Sequence, residues 1–270
     1  MTKRIILCAD DYGQNPDISQ GILSLCGLHR LSAVSCMVNT RDWIQYGAEL
    51  VPFKDDIDIG LHFNITEGSP LSLKASRFTS LSLTILRAYA GLLNVSRITS
   101  ELHAQLDAFE SVVGRLPDFV DGHQHVHQFP SVRHALLQVY ETRLRQSGCY
   151  IRSVAATGGG MKRRIINSLG AGALKEELIK LHIPHNSSFS GVYDLRPTNQ
   201  YAAIFPQFLK EIEEQGIIMC HPGKTEGGYP DRIAHARYQE FLYLAGEQFI
   251  ADCEAHQVVL TRFLTSSFIE

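Results

Sequence analysis

Four short blocks of the chain carry acids and histidines of the kinds that hold a divalent metal and move protons. Asp10 and Asp11 stand side by side in Ala9-Asp10-Asp11-Tyr12-Gly13, and His62 lies in Gly60-Leu61-His62-Phe63. Asp121, His123, His125 and His127 share a segment that ends at Pro130, and His221 opens His221-Pro222-Gly223. Neutral imidazole suits Zn and other transition metals, carboxylate suits both these and Mg, and a hydrolytic site needs three protein ligands with a position left open. In the Asp10–Asp11 pair one acid can bind the metal while the other takes a proton. Two adjacent carboxylates repel in a shared pocket, and a bound cation together with Arg152 would relieve that repulsion. Arg152 then orients the base; an ordinary inter-strand ion pair is the competing account of it. His123 is given a ligand role, with His125 and His127 as residues that orient it from behind. If 121–130 runs extended, a period of two puts all three histidines on one side. His221 ends an apolar run at an abrupt turn, where its imidazole could protonate a leaving amine. Taken singly, each of these residues has a plainer account as a turn, a helix cap or a core histidine.

The argument for a site is that every block follows a strand. Short apolar, β-branched runs recur at 4–9, 33–38, 57–61, 119–121, 150–154, 217–220 and 258–263. Helical periodicity fills 16–28, with Asn15 as N-cap, and 100–113, 131–145, 201–215 and 234–253. Alternating strand and helix predicts a parallel sheet covered by helices, and about seven repeats in 270 residues predict an α/β fold of the incomplete or distorted TIM-like barrel type. In such a barrel all carboxyl ends of strands open on one face, so residues distant in sequence meet there. The open doubly wound sheet is the competing fold, but acids follow the first strand where a nucleotide site needs a glycine-rich loop. One domain over 1–270 is expected, with insertions near 64–95, holding Thr66-Glu67-Gly68-Ser69-Pro70, and near 158–199, holding a triple-glycine run.

Composition narrows the partners. A net charge of −3, with Lys162-Arg163-Arg164 as a small local cluster, argues against nucleic acid. The apolar stretch after Lys3 and Arg4 is too short for a signal-peptide core, and no segment has the apolar length of a membrane span. Cys8, Cys26, Cys36, Cys149, Cys220 and Cys253 are scattered without a paired motif and read as reduced thiols, which fits a cytoplasmic location.

The four blocks, in this order and spacing from Lys3 to about Phe263, resemble the YdjC-like carbohydrate deacetylases, which include chitooligosaccharide deacetylases and hopanoid-associated deacetylases. The matching residues are Ala9-Asp10-Asp11-Tyr12-Gly13, Gly60-Leu61-His62-Phe63 with Thr66 following, Asp121-Gly122-His123-Gln124-His125-Val126-His127 with Pro130, and His221-Pro222-Gly223. Tyr12 stands where the family usually has Phe, and Gln124 interrupts a histidine run found in some members. The resemblance implies a divalent metal, Zn or Mg, held by Asp11, His62 and His123, with Asp10 as general base toward the attacking water. It implies His221 as the acid or an oxyanion partner, and removal of N-acetyl groups from an acetylated amino sugar or oligosaccharide. The sequence leaves a homodimer open. Two other readings compete: a metal-dependent amidohydrolase or phosphoesterase acting on a non-sugar substrate, and a catalytically silent sugar-binding protein. The first commonly ends its first strand in a His-x-His pair, and this chain has Asp10-Asp11 there; the second predicts loss of a ligand or base, and none is lost.

Overall fold

The first apolar run forms β1 (Lys3–Tyr12), and its alternation sets the architecture. Ile5, Leu7 and Ala9 enter the larger core, while Ile6 and Cys8 belong to a second, smaller core with Phe119, Tyr150, Phe189, Ile217 and Met219. A strand buried on both faces reads as a continuous apolar run, as parallel sheets require. The structure, a computed structural model, describes residues 2–73, 76–155, 161–196, 200–226, 229 and 231–264, without the side chains of Lys162 and Arg163. The triple-glycine run therefore lies outside the described residues, and of the basic cluster only the Arg164 side chain is described.

β1 pairs in parallel with β2 (Ala33–Cys36) on one side and with β7 (Ile217–Cys220) on the other, and its first residues pair with β8 (Val258–Leu260). Beyond β2 follow β3 (Asp58–Phe63), β4 (Phe119–Gly122) and β5 (Tyr150–Ile151), and beyond β7 lies β6 (Phe189–Ser190). Every pairing is parallel and the sheet curls into a half-barrel, as the alternation predicts. The two-residue β6 falls in a segment expected to be an insertion and was too short to register as a periodic run.

No ladder joins β5 to β6 among the described residues. The buried Asn186 spans that seam instead, accepting from the Ser153 amide at 2.8 Å and donating to the Ser153 carbonyl at 2.9 Å and the Ser188 carbonyl at 2.7 Å. A side-chain amide can substitute for a ladder because it carries both a donor and an acceptor.

The helices are α1 (Pro16–Gly27), α2 (Trp43–Leu50), α3 (Leu81–Tyr89), α4 (Val95–Val113) and α5 (Pro130–Val139), followed by α6 (Met161–Ile166), α7 (Gly172–Lys180), α8 (Tyr201–Glu211), α9 (Ala234–Ala245) and α10 (Glu247–Ala255). Asn15 caps α1 through a 3.0 Å bond from the Ile18 amide, with Pro16 at the first helical position. α4 starts earlier than the periodicity suggested, because Asn94 caps it and accepts from the Arg97 amide at 3.0 Å. Its stripe of Leu102, Leu106 and Phe109 is wholly buried, each side chain stabilising the fold by roughly 1.5–3 kcal/mol. The single helix expected over 234–253 is two, broken where Gly246 leaves helical geometry. No helix among the described residues is long and apolar enough to cross a membrane.

Candidate active site

Asp10 follows Ile6 and Cys8 on the inner face of β1, which the period of two dictates. Asp11 should then point the other way. It does not, because the β1–β2 register slips between Ala9 and Tyr12 and Asp11 takes a left-handed backbone (φ 69°). A bulge of this kind turns a side chain toward a site at a strand end, and here it lets adjacent carboxylates line one cleft.

Around Asp11 the distances are short. Its Oδ1 lies 2.8 Å from His123 Nδ1 and 3.4 Å from His62 Nε2, and its Oδ2 accepts from Arg237 Nη2 at 2.7 Å. Burial works against the Asp11 carboxylate, but Arg237, His123 and His62 outweigh it and hold its pKa well below the ordinary value. His62 Nδ1 faces Asp121 Oδ1 at 2.7 Å, and Ser35 Oγ donates to the same oxygen at 2.6 Å. Burial opposes an imidazolium at His62, yet Asp121, Asp11 and Asp10 raise its pKa to about 10.

Asp10 is gripped by Arg152 through two bonds, Nη1 to Oδ2 at 2.8 Å and Nη2 to Oδ1 at 2.7 Å. Arg152 Nη2 also lies 2.6 Å from Asp121 Oδ2. One guanidinium therefore ties Asp10 to the acid that holds His62. The residue lies just past β5 rather than within it, and its guanidinium forms a buried ion pair with Asp10.

The segment 123–128 is not extended. It forms a tight helical turn in which Gln124 (φ 54°) and His125 (φ 59°) are left-handed, so the three histidines diverge. His123 reaches Asp11, while His125 lines the cleft with its ring edge-on to Phe189. His127 is buried and donates from Nε2 to the Arg152 carbonyl at 3.0 Å. Desolvation lowers the pKa of His125 to about 3 and of His127 to about 4, so both stay neutral near pH 7. Gly122 makes the turn possible, since a Cβ there would lie 2.9 Å from the His127 amide nitrogen.

His221 lines the same cleft, and its backbone amide donates to the buried Glu240, whose other oxygen takes the Tyr193 hydroxyl at 2.6 Å. The cleft has a volume of about 670 Å³, within the range of small-molecule sites. Asp10, Asp11, His62, His123 and His221 all contribute to its wall.

Three residues escaped the sequence reading. Arg237 binds Asp11 and, through Nε, Asp231 at 2.5 Å. Its signal was present: on α9 the buried stripe is Ala236, Arg237, Glu240, Tyr243 and Leu244, which sets two charged residues at core positions. Ser35 is a small polar residue within an apolar strand. Glu67, quoted above only as part of a loop, has Oε1 3.2 Å from His123 Nε2.

Carboxylate and imidazole atoms of Asp11, His62 and His123 all lie within 4.8 Å of one another, buried. One carboxylate and two imidazoles facing each other, with one imidazole backed by Asp121, are a donor set that fits a divalent ion. Asp10, His62 and Asp121 also approach one another, but the Arg152 guanidinium occupies that side.

Comparison with known proteins places the chain in a family. A family model described as YdjC-like protein matches residues 4–255. A chitooligosaccharide deacetylase of Yersinia enterocolitica is 29% identical over 232 residues, 82% of each chain, and one of Yersinia pestis is 29% identical over 233 residues with the same coverage. Among solved structures, a protein of Enterococcus faecalis V583 put forward as a cellobiose-phosphate cleavage protein superposes with a TM-score of 0.69 at 17% identity, over 97% of this chain and 98% of that one. A peptidoglycan N-acetylglucosamine deacetylase superposes with a TM-score of 0.53 at 12% identity, over 96% and 85%. These two structures speak to the fold alone.

Proposed function

This chain belongs to the YdjC-like family, and from that premise we propose that it is a metal-dependent hydrolase that removes N-acetyl groups from an amino sugar or a short amino-sugar oligosaccharide. The observation that carries the reading is the meeting, in one cleft, of the Asp11–His62–His123 donor set with an Asp10 carboxylate gripped by Arg152. The names of the Yersinia relatives supply the substrate class.

Asp11, His62 and His123 would hold Zn or Mg. The ion supplies Lewis acidity, polarising the acetyl carbonyl and lowering the pKa of water. Asp10 accepts the proton of the attacking water as general base, and Arg152 fixes the direction in which its oxygens point. His221 delivers a proton to the leaving nitrogen, or steadies the charge on the carbonyl oxygen. The amide C–N bond breaks, leaving acetate and a free amine on the sugar. His127 takes no proton in this scheme; it pins the backbone of Arg152 and so keeps the guanidinium in place.

The test is acetate release from N-acetylglucosamine oligomers by the purified chain, before and after chelation and with Zn or Mg restored. Release that vanishes on chelation and returns with one of the metals is the expected result. A metal-loaded chain that frees no acetate from any acetylated sugar would overturn the reading and favour a non-sugar substrate or a binding role.

A further inference from the structure

The two histidines at the donor set are turned in opposite senses. His62 faces Asp11 with Nε2 while its Nδ1 meets Asp121. His123 faces Asp11 with Nδ1, at 2.8 Å, and its Nε2 lies 3.2 Å from Glu67. An imidazole that binds a metal through one nitrogen commonly donates from the other to a carboxylate, which fixes ring orientation and tautomer. Asp121 does this for His62 from within the sheet.

We propose that Glu67 is a positioning residue of the site: its carboxylate holds the Nε2 edge of His123 so that Nδ1 is the nitrogen presented to Asp11. The functional consequence rests on the metal reading above; the contact itself does not.

The loop that carries Glu67 is built to keep it there. On α4, Glu101 and Gln105 lie one turn apart and are both buried. Gln105 grips the start of the loop, accepting from the Asn64 amide at 3.1 Å and donating to the Asn64 carbonyl at 2.7 Å. Glu101 grips the far end, accepting from the amides of Leu71 at 3.0 Å and Ser72 at 2.8 Å. Between them the buried Asn64 side chain accepts from the Thr66 and Glu67 amides and donates to the Glu67 carbonyl at 2.8 Å. Gln14, at the end of the β1 loop, donates to Glu67 Oε2 at 2.9 Å. A surface carboxylate ordinarily loses side-chain entropy when held in one place; here the loop is ordered by other groups first. Glu67 also differs from Asp121 in exposure, 43% of its side chain against none, so the support of His123, unlike that of His62, faces the cleft.

The experiment compares the full chain with Glu67→Ala, Glu67→Gln and Gln105→Ala, measuring Zn affinity by competition with a chelator and the ring ¹⁵N resonances of His123 and His62 in the metal-free state. Glu67→Ala is expected to weaken Zn binding by roughly 10–100-fold and to move the His123 resonances more than those of His62. Glu67→Gln keeps an acceptor oxygen and should recover part of the affinity; Gln105→Ala, which touches neither histidine, should weaken binding in the same direction by loosening the loop. Affinity of Glu67→Ala within twofold of wild type would overturn the proposal. So would a fall in affinity with His123 resonances unmoved, since Glu67 would then act by charge alone. A wild-type chain that takes up no Zn would sink the metal reading instead, and the His123 resonances would then decide whether Glu67 positions that ring.

Discussion

Asp10 and Asp11 are neighbours in sequence with separate tethers, Arg152 for one and Arg237 for the other, and this separation is what single substitutions can probe. Asp10→Asn removes the proton acceptor but no atom of the Asp11–His62–His123 set. It should lower kcat by about 10³-fold or more while metal content, read by elemental analysis, stays at wild-type occupancy. His62→Ala removes a ligand, and metal retained at full occupancy in that variant would refute its assignment. Asp121→Asn leaves every proposed ligand in place but weakens the acceptor at His62 Nδ1, so metal affinity should fall by roughly 10–100-fold. Protonation adds a further check. In the metal-free chain the carboxylates around His62 raise its pKa to about 10, and only the neutral ring can bind metal. Below that pKa each imidazolium proton displaced costs about tenfold in affinity per unit fall in pH, so metal uptake at neutral pH should release protons. Calorimetry in buffers of differing ionisation enthalpy measures that release, and uptake without it would contradict the picture.

Two backbone irregularities turn ordinary elements into a site. The bulge at Asp11 and the left-handed pair Gln124–His125 both occur at strand ends, and both place non-glycine residues at positive φ, a conformation found for few such residues and often at functional positions. They also mark where sequence reasoning stopped. Strand–helix alternation predicts the parallel sheet and the open face on which Asp10 and Asp11 gather, because that pattern is imposed by burial along whole elements. Nothing in residue types announced the bulge that turns Asp11 to the side of Asp10, or that the histidines of 123–127 would diverge rather than share a face. Glu67 and Arg237 were hidden for a different reason: their contacts cross 56 and 226 residues, and only the buried stripe of α9 hinted at the second. The turn after β4 offers a test at this scale. Gly122→Ala places a methyl against the His127 amide, a contact that backbone cannot relieve cheaply. The expected result is a loss of about 1–3 kcal/mol in urea unfolding, together with weaker metal binding as His123 shifts.

At the scale of the whole molecule, the sheet order β5-β4-β3-β2-β1-β7-β6 leaves a seam between β5 and β6 among the described residues, and the Asn186 side chain crosses it. Asn186→Ala leaves the Ser153 amide and carbonyl without those partners in a buried place, so about 1–3 kcal/mol should be lost per group left unsatisfied. Hydrogen exchange should quicken first at 151–153; uniform exchange across the sheet would mean the seam carries no special weight. The same strand order bears on how the chain is made. From β1 to β5 each strand pairs with the one before it, so this half can zip up as it leaves the ribosome, with Asp10, Asp121, His62 and Arg152 already in reach of one another. β7 and α9, with His221 and Arg237, emerge only afterwards and close onto the free edge of β1. Pulse-labelling during refolding should accordingly find β2–β4 amides protected before those of β7, which would make the proton acceptor's side of the cleft the nascent template and the side bearing His221 its last addition.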